Sequence, residues 1–425
     1  MMNMTYSDLI KQRGAQLYYP DFKINKSSRR WYQHDIDTII YSDMFRKMQR
    51  KAQLLSINDP VFRSRLIHTF EVVRIAKEIS EKLGLNTELS EAIALSHDLG
   101  NVALGKTADA FLQDKTSSLF KHEEVSSLML RICASRPIPD KYRNAAQDAI
   151  KTDPDTVHSI KIVEFPYHLE VYKYKRRIYY ICISPEVIDG VLKHGTSQPA
   201  FTLEGQVVNY ADNIAYLIQD ISDFEAAGIF GKEDRERYER SLMELEAVDT
   251  NKNYPISGIT GKTTSIRTAT LIERFVSYNK DKLVHKKSTE VYSEIFGLCI
   301  PFLEIEPILK DGIDRCWEFK KEFYDNELIR ISNINSKAKM EQIWNILEND
   351  SAFVERNGSY IEFNKMLSSP IFVAFKREKK FDDSQWSAWK KAYFIAHLTC
   401  DEIDLIIKSF LERDYVFDLS LPSIR

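Results

Sequence analysis

The stretch LEGQVVNYADNIAYLIQDISDF (Leu203–Phe224) constrains this chain more than any other. Val207, Val208, Ile214, Ala215, Leu217 and Ile218 recur at helical spacing, which predicts a largely buried helix over 203–227. Asp212, Tyr216 and Asp220 stand at i, i+4 and i+8, so they share one stripe of that helix. Acids on or beside a buried face must be paired or must coordinate a metal. The stripe therefore asks for partners supplied by other segments.

The rest of the chain offers mostly helices to supply them. Only 14 Gly and 13 Pro interrupt 425 residues. The helical period returns over 35–55, 66–83, 88–99, 121–134, 233–248, 264–280, 286–298, 301–325, 336–349 and 385–412. An all-α fold is expected. One stretch departs from it: YHLEVYKYKRRIYYICIS (Tyr167–Ser184) is aromatic and β-branched, and reads as a small β-hairpin insertion with a basic turn. The polar run 249–263 reads as a loop. No change of composition flanks it. The expectation is one body over 1–425, with 30–248 carrying the site and 249–425 a helical C-terminal part.

Charge and cysteine usage narrow the function classes. Net charge is −3, so no global basic field argues for nucleic acid, and single-stranded DNA as a partner is unsupported by charge. The runs KYKRR (Lys173–Arg177) and KREKK (Lys376–Lys380) read as solvated faces. Five widely spaced cysteines without a C-x-x-C pair fit a reducing cytoplasm and give no thiolate zinc site. The N-terminus lacks the pattern of a secretory signal. No apolar run approaches the ~20 residues of a membrane span. The stretch SGITGKTT (Ser257–Thr264) resembles a phosphate loop, but Ile256 stands where its first Gly is required and no apolar strand precedes it. It reads as a loop whose Thr263 or Thr264 caps the next helix, with Lys262 within reach of phosphates in a neighbouring site.

A metal that polarises phosphate needs nitrogen and oxygen ligands on rigid elements. His68 lies in RSRLIHTFEV, with Arg65 three positions earlier on the same helical face. His97 and Asp98 end the next helical segment, just before Gly100. Singly, each histidine reads as a satisfied core residue and Asp212 as a surface acid. Two His and two Asp together, on largely apolar helices, make a candidate ligand set: His68, His97, Asp98 and Asp212.

This H…HD…D order resembles the HD superfamily of metal-dependent phosphohydrolases. WYQHDIDTIIYSDMFRKMQRKAQLL, RSRLIHTFEVVRIAKEIS and LEGQVVNYADNIAYLIQDISDF are similar to the opening motif, first metal helix and late Asp helix of deoxyguanosine triphosphate triphosphohydrolases. FYDNELIRISNINSKAKMEQIWNIL and YFIAHLTCDEIDL resemble their closing segments, so the likeness runs from about residue 30 to 412. It implies an HD-domain helical core and a divalent metal (Mn2+, Mg2+ or Fe2+) on His68, His97, Asp98 and Asp212. It places Arg65 on the α-phosphate, and Gln53, Tyr216 and Asp220 around the deoxyribose. His122 and Glu123, in FKHEEVSSLML, match an active-site His and its adjacent acid. Lys193 in VLKHG matches a phosphate-binding position loosely. The family splits dNTPs into deoxynucleoside and triphosphate, often as tetramers or hexamers that respond to a nucleotide effector. Lowered dNTP pools would suit housekeeping or defence against phage.

The loop after His97-Asp98 departs from the pattern. Relatives read HD-x-G-[HN]-x-P-F-G-H with an acid three residues on. This chain keeps Asn101 and Asp109 but carries Lys106 in place of the last His. An ordinary Lys titrates near 10.4 and is a poor general base, but it can bind phosphate or donate a proton. Three outcomes are open: hydrolysis with Lys106 in an altered role, proton chemistry carried by His122 and Asp109, or a nucleotide-sensing pseudoenzyme. The surviving ligand set favours hydrolysis. A nucleotidase or cyclic-dinucleotide phosphodiesterase ranks last, because Tyr216 and Asp220 fit the triphosphohydrolase stripe.

Overall fold

The computed structural model describes residues 31–54, 62–154, 156–161, 168–261, 263–285, 289–293, 298–412 and 419. Lys262 and the expectations for residues 1–30 lie outside these. Within them the protein is mainly helical. In chain order the helices that position the site are α1 (Trp31–Ile40), α2 (Asp43–Lys47), α3 (Arg65–Leu83), α4 (Thr87–Ser96), α5 (Lys106–Lys115), α6 (His122–Cys133), α7 (Arg143–Ile150), α8 (Pro185–Lys193) and α9 (Leu203–Ala226).

The buried helix α9 packs on α3, α4 and α8, and α1 packs on α4. Its apolar residues Val207, Val208, Ala211, Ile214, Ala215 and Ile218 are buried against Val72, Ile75, Ala76 and Ile93 in one continuous core. Each of these helices is closed by local chemistry. Ser64 and Asn86 accept hydrogen bonds from the first turns of α3 and α4, and Thr202 does so for α9. Gly84 takes φ +71 and stops α3 with a left-handed cap.

After α9 come α10 (Lys232–Arg240), α11 (Met243–Glu246), α12 (Thr264–Val284), α13 (Pro307–Lys321), α14 (Glu327–Asn349), α15 (Ser351–Arg356), α16 (Gly358–Met366), α17 (Pro370–Lys379), α18 (Asp383–Ala396) and α19 (Cys400–Glu412). Helix α14 packs on α5, so the C-terminal part supports the element that begins with Lys106. Thr263 caps α12 as its position suggested.

The hairpin is present but belongs to something larger. Strands β3 (His168–Tyr174) and β4 (Arg177–Ile181) turn at Lys175–Arg176, and β1 (Ser135–Pro137) and β2 (His158–Lys161) extend them into an antiparallel sheet of order β1-β4-β3-β2. A second difference is the run expected to be helical over 286–298. Its described residues form a ribbon, β5 (Glu290–Ser293) with β6 (Leu298–Pro301), Glu290 opposite Pro301. Tertiary hydrogen bonds favour the extended form. Gln206 on α9 accepts from the Leu303 amide at 2.8 Å and Asn279 on α12 from the Glu304 amide at 2.9 Å.

Two long periodic runs are also broken. Residues 35–55 divide at Tyr41–Ser42, where Ser42 caps α2. Residues 385–412 divide at His397–Thr399, where Thr399 and Glu402 exchange side chain–backbone hydrogen bonds as a capping box. Among the described residues, no helix is long and apolar enough to cross a membrane.

Candidate functional site

The four expected ligands meet at one place. His68 comes from the second turn of α3, His97 and Asp98 from the end of α4, and Asp212 from the middle of α9. His68 Nε2 lies 2.9 Å from Asp212 Oδ1 and 3.9 Å from Asp98 Oδ2. His97 Nε2 lies 3.6 Å from Asp98 Oδ1 and 3.7 Å from Asp212 Oδ1. His68, His97 and Asp98 are buried, whereas Asp212 keeps 26% of its side chain exposed, which marks the open side of the cluster.

The donor set fits a divalent cation. His97 Nδ1 donates to the Ala94 carbonyl at 2.7 Å. That bond fixes the tautomer and turns the Nε2 lone pair toward the two acids. His97 Nε2 is buried with no hydrogen-bond partner. A buried orphan nitrogen between carboxylates is costly for a protein side chain alone and suited to a ligand. The electrostatics agree. Burial lowers the His97 pKa, but Asp98 and Asp212 outweigh it and lift the ring to about 9. Burial raises Asp212, yet the hydrogen bond with His68 and the nearby His97 ring hold it well below the ordinary carboxylate range. These acids create a field that a cation satisfies.

The loop after Asp98 is held from three sides. Asp98 accepts from Arg65 at 2.9 Å and also from Asn101 Nδ2. The buried Lys51 ammonium donates to the carbonyls of Leu99, Asn101 and Ala396, at 3.2, 2.7 and 2.7 Å. Gly100 lies so close to α6 that a Cβ there would sit 2.5 Å from the His122 carbonyl oxygen and the Ser126 amide nitrogen. Ser126 Oγ ties the two segments, accepting from the Gly100 amide and donating to the His97 carbonyl. Gly105, at φ +76, then turns the chain into α5.

Around this frame stand the remaining expected residues. His122 opens α6, its Nδ1 3.4 Å from Glu123 Oε2 and its Nε2 3.2 Å from His194 Nε2. Asp109 interacts with His122 and Arg65, but burial wins and its pKa is raised. Gln53 is buried beside the loop before Lys106; its carbonyl would lie 3.9 Å from a Cβ on Gly105. The Lys106 ammonium sits 3.9 Å from the centre of the Tyr216 ring. Lys106 as a residue is exposed, but its ammonium is shielded enough that burial lowers its pKa to about 8, with Asp220 opposing the shift.

Two expected substrate contacts are placed differently. Asp220 is fully buried, its Oδ1 accepting from Arg63 and its Oδ2 from Lys320 and Tyr324, all at 2.8–2.9 Å. It is an anchor for the wall that carries Tyr216 rather than a free group aimed at a sugar. Tyr216 stacks on Trp317 and shares a hydrogen bond with Tyr324. Lys193 is not brought to the cluster. Its ammonium pairs with Asp189 at 2.6 Å and lies over the Phe201 ring. The next residue, His194, is there instead, buried, with its ring centre 5.2 Å from that of His97. Nothing in the sequence singles out His194, although it is half of the Lys-His pair ending α8, nor Arg63, Lys320 and Lys51, whose roles need contacts far apart in the chain.

Comparison with known proteins follows the same outline. Residues 65–217 match the HD domain family. A deoxyguanosinetriphosphate triphosphohydrolase-like protein of Clostridium tetani is 33% identical over 207 residues, 47% of this chain and 48% of that protein. One of Syntrophus aciditrophicus is 30% identical over 242 residues, 53% of this chain and 51% of the relative. Residues 65–217 thus carry the HD-domain likeness, and about half of the chain is similar to dGTPase-like proteins. A third such protein, of Neorickettsia sennetsu, is 30% identical over 55% of this chain and 56% of its own length. The chain thus spans about half the length of the curated relatives it matches. The HD match begins at Arg65 and runs past Asp212, so all four clustered side chains fall inside it. These likenesses support a metal-dependent phosphohydrolase.

Proposed function

We propose that this protein hydrolyses deoxynucleoside triphosphates to deoxynucleoside and inorganic triphosphate at a divalent metal held by His68, His97, Asp98 and Asp212. The observation that carries the reading is the convergence of these four side chains from three helices, with His97 Nε2 buried and unpartnered among them. When bound, such an ion polarises a phosphoryl oxygen and acidifies a water molecule.

The protein's own groups do the rest. Arg65, already oriented by Asp98, offers its guanidinium to the α-phosphate oxygens. Lys106 supplies a second positive charge to the phosphate chain, and its lowered pKa lets it release or take a proton near neutrality. Asp109 and His122 form the acid–base pair on the α6 side, with Glu123 orienting the imidazole. The Tyr216 ring, braced by Trp317 and Tyr324, closes one wall against the sugar. Asn101 and Gln53 shape the floor beside Asp98 and Gly105.

The substrate class comes from the dGTPase-like relatives, and a role in pool control or phage defence, a nucleotide effector and a homo-oligomeric state belong to the same reading. A single-body arrangement with the site on 30–248 is part of it too. The test is product identity. Mn2+-loaded protein is incubated with each dNTP and with their mixture, and products are separated by ion-exchange chromatography. Deoxynucleoside with triphosphate is expected. Nucleotide binding without turnover in every mixture would instead establish a sensor.

A further inference from the structure

Away from the ligand cluster, α7 and the tip of the β3–β4 hairpin enclose a cleft of about 870 Å³. Five cations line it: Arg143 and Lys151 from α7 and its C-cap, and Lys173, Arg176 and Arg177 from the hairpin. Among the described lining residues, none is acidic and none is aromatic. We propose that this cleft binds a linear oligophosphate, either inorganic triphosphate or the phosphate chain of a nucleotide.

Local structure brings the charges together. Arg143, Gln147 and Lys151 stand at i, i+4 and i+8, so they share one stripe of α7 continued into its cap. Helix α7 packs on β2, β3 and β4. The hairpin turns at Lys175–Arg176, with Tyr174 opposite Arg177 and Lys173 opposite Ile178. The Ile138 amide donates to the Ile178 carbonyl at 2.9 Å, which carries the β1–β4 pairing up to the cleft. Ile138, Ile150 and Ile178 supply its apolar floor. The run KYKRR, which reads as a solvated face in the sequence, is therefore one wall of a concave site.

The charges in this cleft are poorly balanced by the protein itself. Arg143 pairs with Asp140 and Lys151 with Asp148, but these are exposed neighbours on one turn, a kind of pair that contributes little. Lys173, Arg176 and Arg177 have no acidic partner among the described residues. Like charges held on a fixed frame repel, and a ligand with several negative charges removes that cost. Arginine forks match phosphate oxygens two at a time, and lysine adds a point charge. The cleft has the size of a small-ligand site, roughly 300–1,000 Å³. A nucleic-acid strand fits less well. The lining lacks the aromatic rings on which bases stack, and a net charge of −3 gives no long-range pull on a long polyanion. Gln147 is the one neutral polar side chain among the described lining residues, so phosphate charge rather than a base edge carries the recognition.

The cleft shares no residue with the catalytic groups placed above, so its test is independent of the hydrolase reading. Full-length protein is stripped of metal with EDTA, and inorganic triphosphate or dGTP is titrated into it by calorimetry. Saturable triphosphate binding that weakens with added salt is expected. Lys173→Glu/Arg177→Glu and Arg143→Glu/Lys151→Glu, one pair on each wall, are each expected to weaken it about tenfold or more. Because all four side chains are exposed, both variants are expected to keep the wild-type circular dichroism spectrum. Lys106→Ala is expected to bind triphosphate as the wild type does. Equal affinities for triphosphate and dGTP identify the phosphate chain alone as the ligand, whereas tighter dGTP binding that both cleft variants lose identifies a nucleotide. The proposal is overturned if triphosphate does not bind, if folded cleft variants bind it as the wild type does, or if Lys106→Ala abolishes the binding. Single-stranded DNA bound at the cleft without triphosphate binding overturns it as well. Hydrolysis by the Mn2+-loaded proteins separates the two readings. Turnover without cleft binding removes only this proposal, and cleft binding without turnover removes only the hydrolase.

Discussion

Two neighbouring regions of this protein hold similar charges in opposite states. At the ligand cluster, His97 Nε2 is left without a partner, and the two acids around it are drawn well below their usual range only by histidines and Arg65. About two turns further along the same helix, Asp220 has both oxygens matched, by Arg63 on one side and by Lys320 and Tyr324 on the other. The first arrangement is incomplete without something bound; the second is complete as it stands. Burial alone therefore does not mark a functional acid. What marks it is burial with donor capacity left unspent.

The comparison can be broken most severely at Asp98. Asp98→Ala is expected to remove bound Mn2+ and with it several kcal/mol of transition-state stabilisation, about a thousandfold in turnover. Retained metal and activity in that variant, by metal analysis and product assay, would erase the distinction between the regions. Asp220→Ala should do the reverse. It leaves the buried Lys320 ammonium without its carboxylate and takes from Arg63 one of three acids, Asp223 and Glu71 remaining, which costs about 3–5 kcal/mol of stability, read by denaturant unfolding. Its metal content should be unchanged in the fraction that folds.

Lys106 sits between the two regions and sharpens the contrast. Lys106→Ala is expected to lower kcat/KM about tenfold without loss of metal, the effect of removing one phosphate-directed charge. A smaller effect concerns pH. Burial lowers the Lys106 pKa to about 8 from the ordinary 10.5, so its charge is lost as pH rises through that value. KM for a dNTP should therefore rise above about pH 8, and Lys106→Arg, which stays charged, should flatten that rise. An identical pH profile in the two proteins would show that another group titrates.

Much of this was legible in the chain. The apolar period of α9 with Asp212 upon it, the Arg65–His68 spacing on α3 and the His97-Asp98 pair before Gly100 are local signals, and the structure brings those residues together. The fold class was legible for the same reason, because helical periodicity is written in short windows. What was hidden depends on distant contacts. Asp220 looked like a substrate contact because its partners Arg63 and Lys320 come from other segments. Lys193 looked like the useful member of VLKHG, until Asp189 one turn earlier claimed its charge and left His194 at the centre. The β5–β6 ribbon was read as helix because the side chains of Gln206 and Asn279, which fix the backbone just beyond it, could not be foreseen from its own residues.

A crystal of the manganese-loaded protein, measured at the manganese absorption edge, tests the central claim most directly. The account predicts a strong anomalous peak enclosed by His68, His97, Asp98 and Asp212. A map with no peak among those four side chains, in crystals that hold manganese elsewhere or not at all, would contradict it.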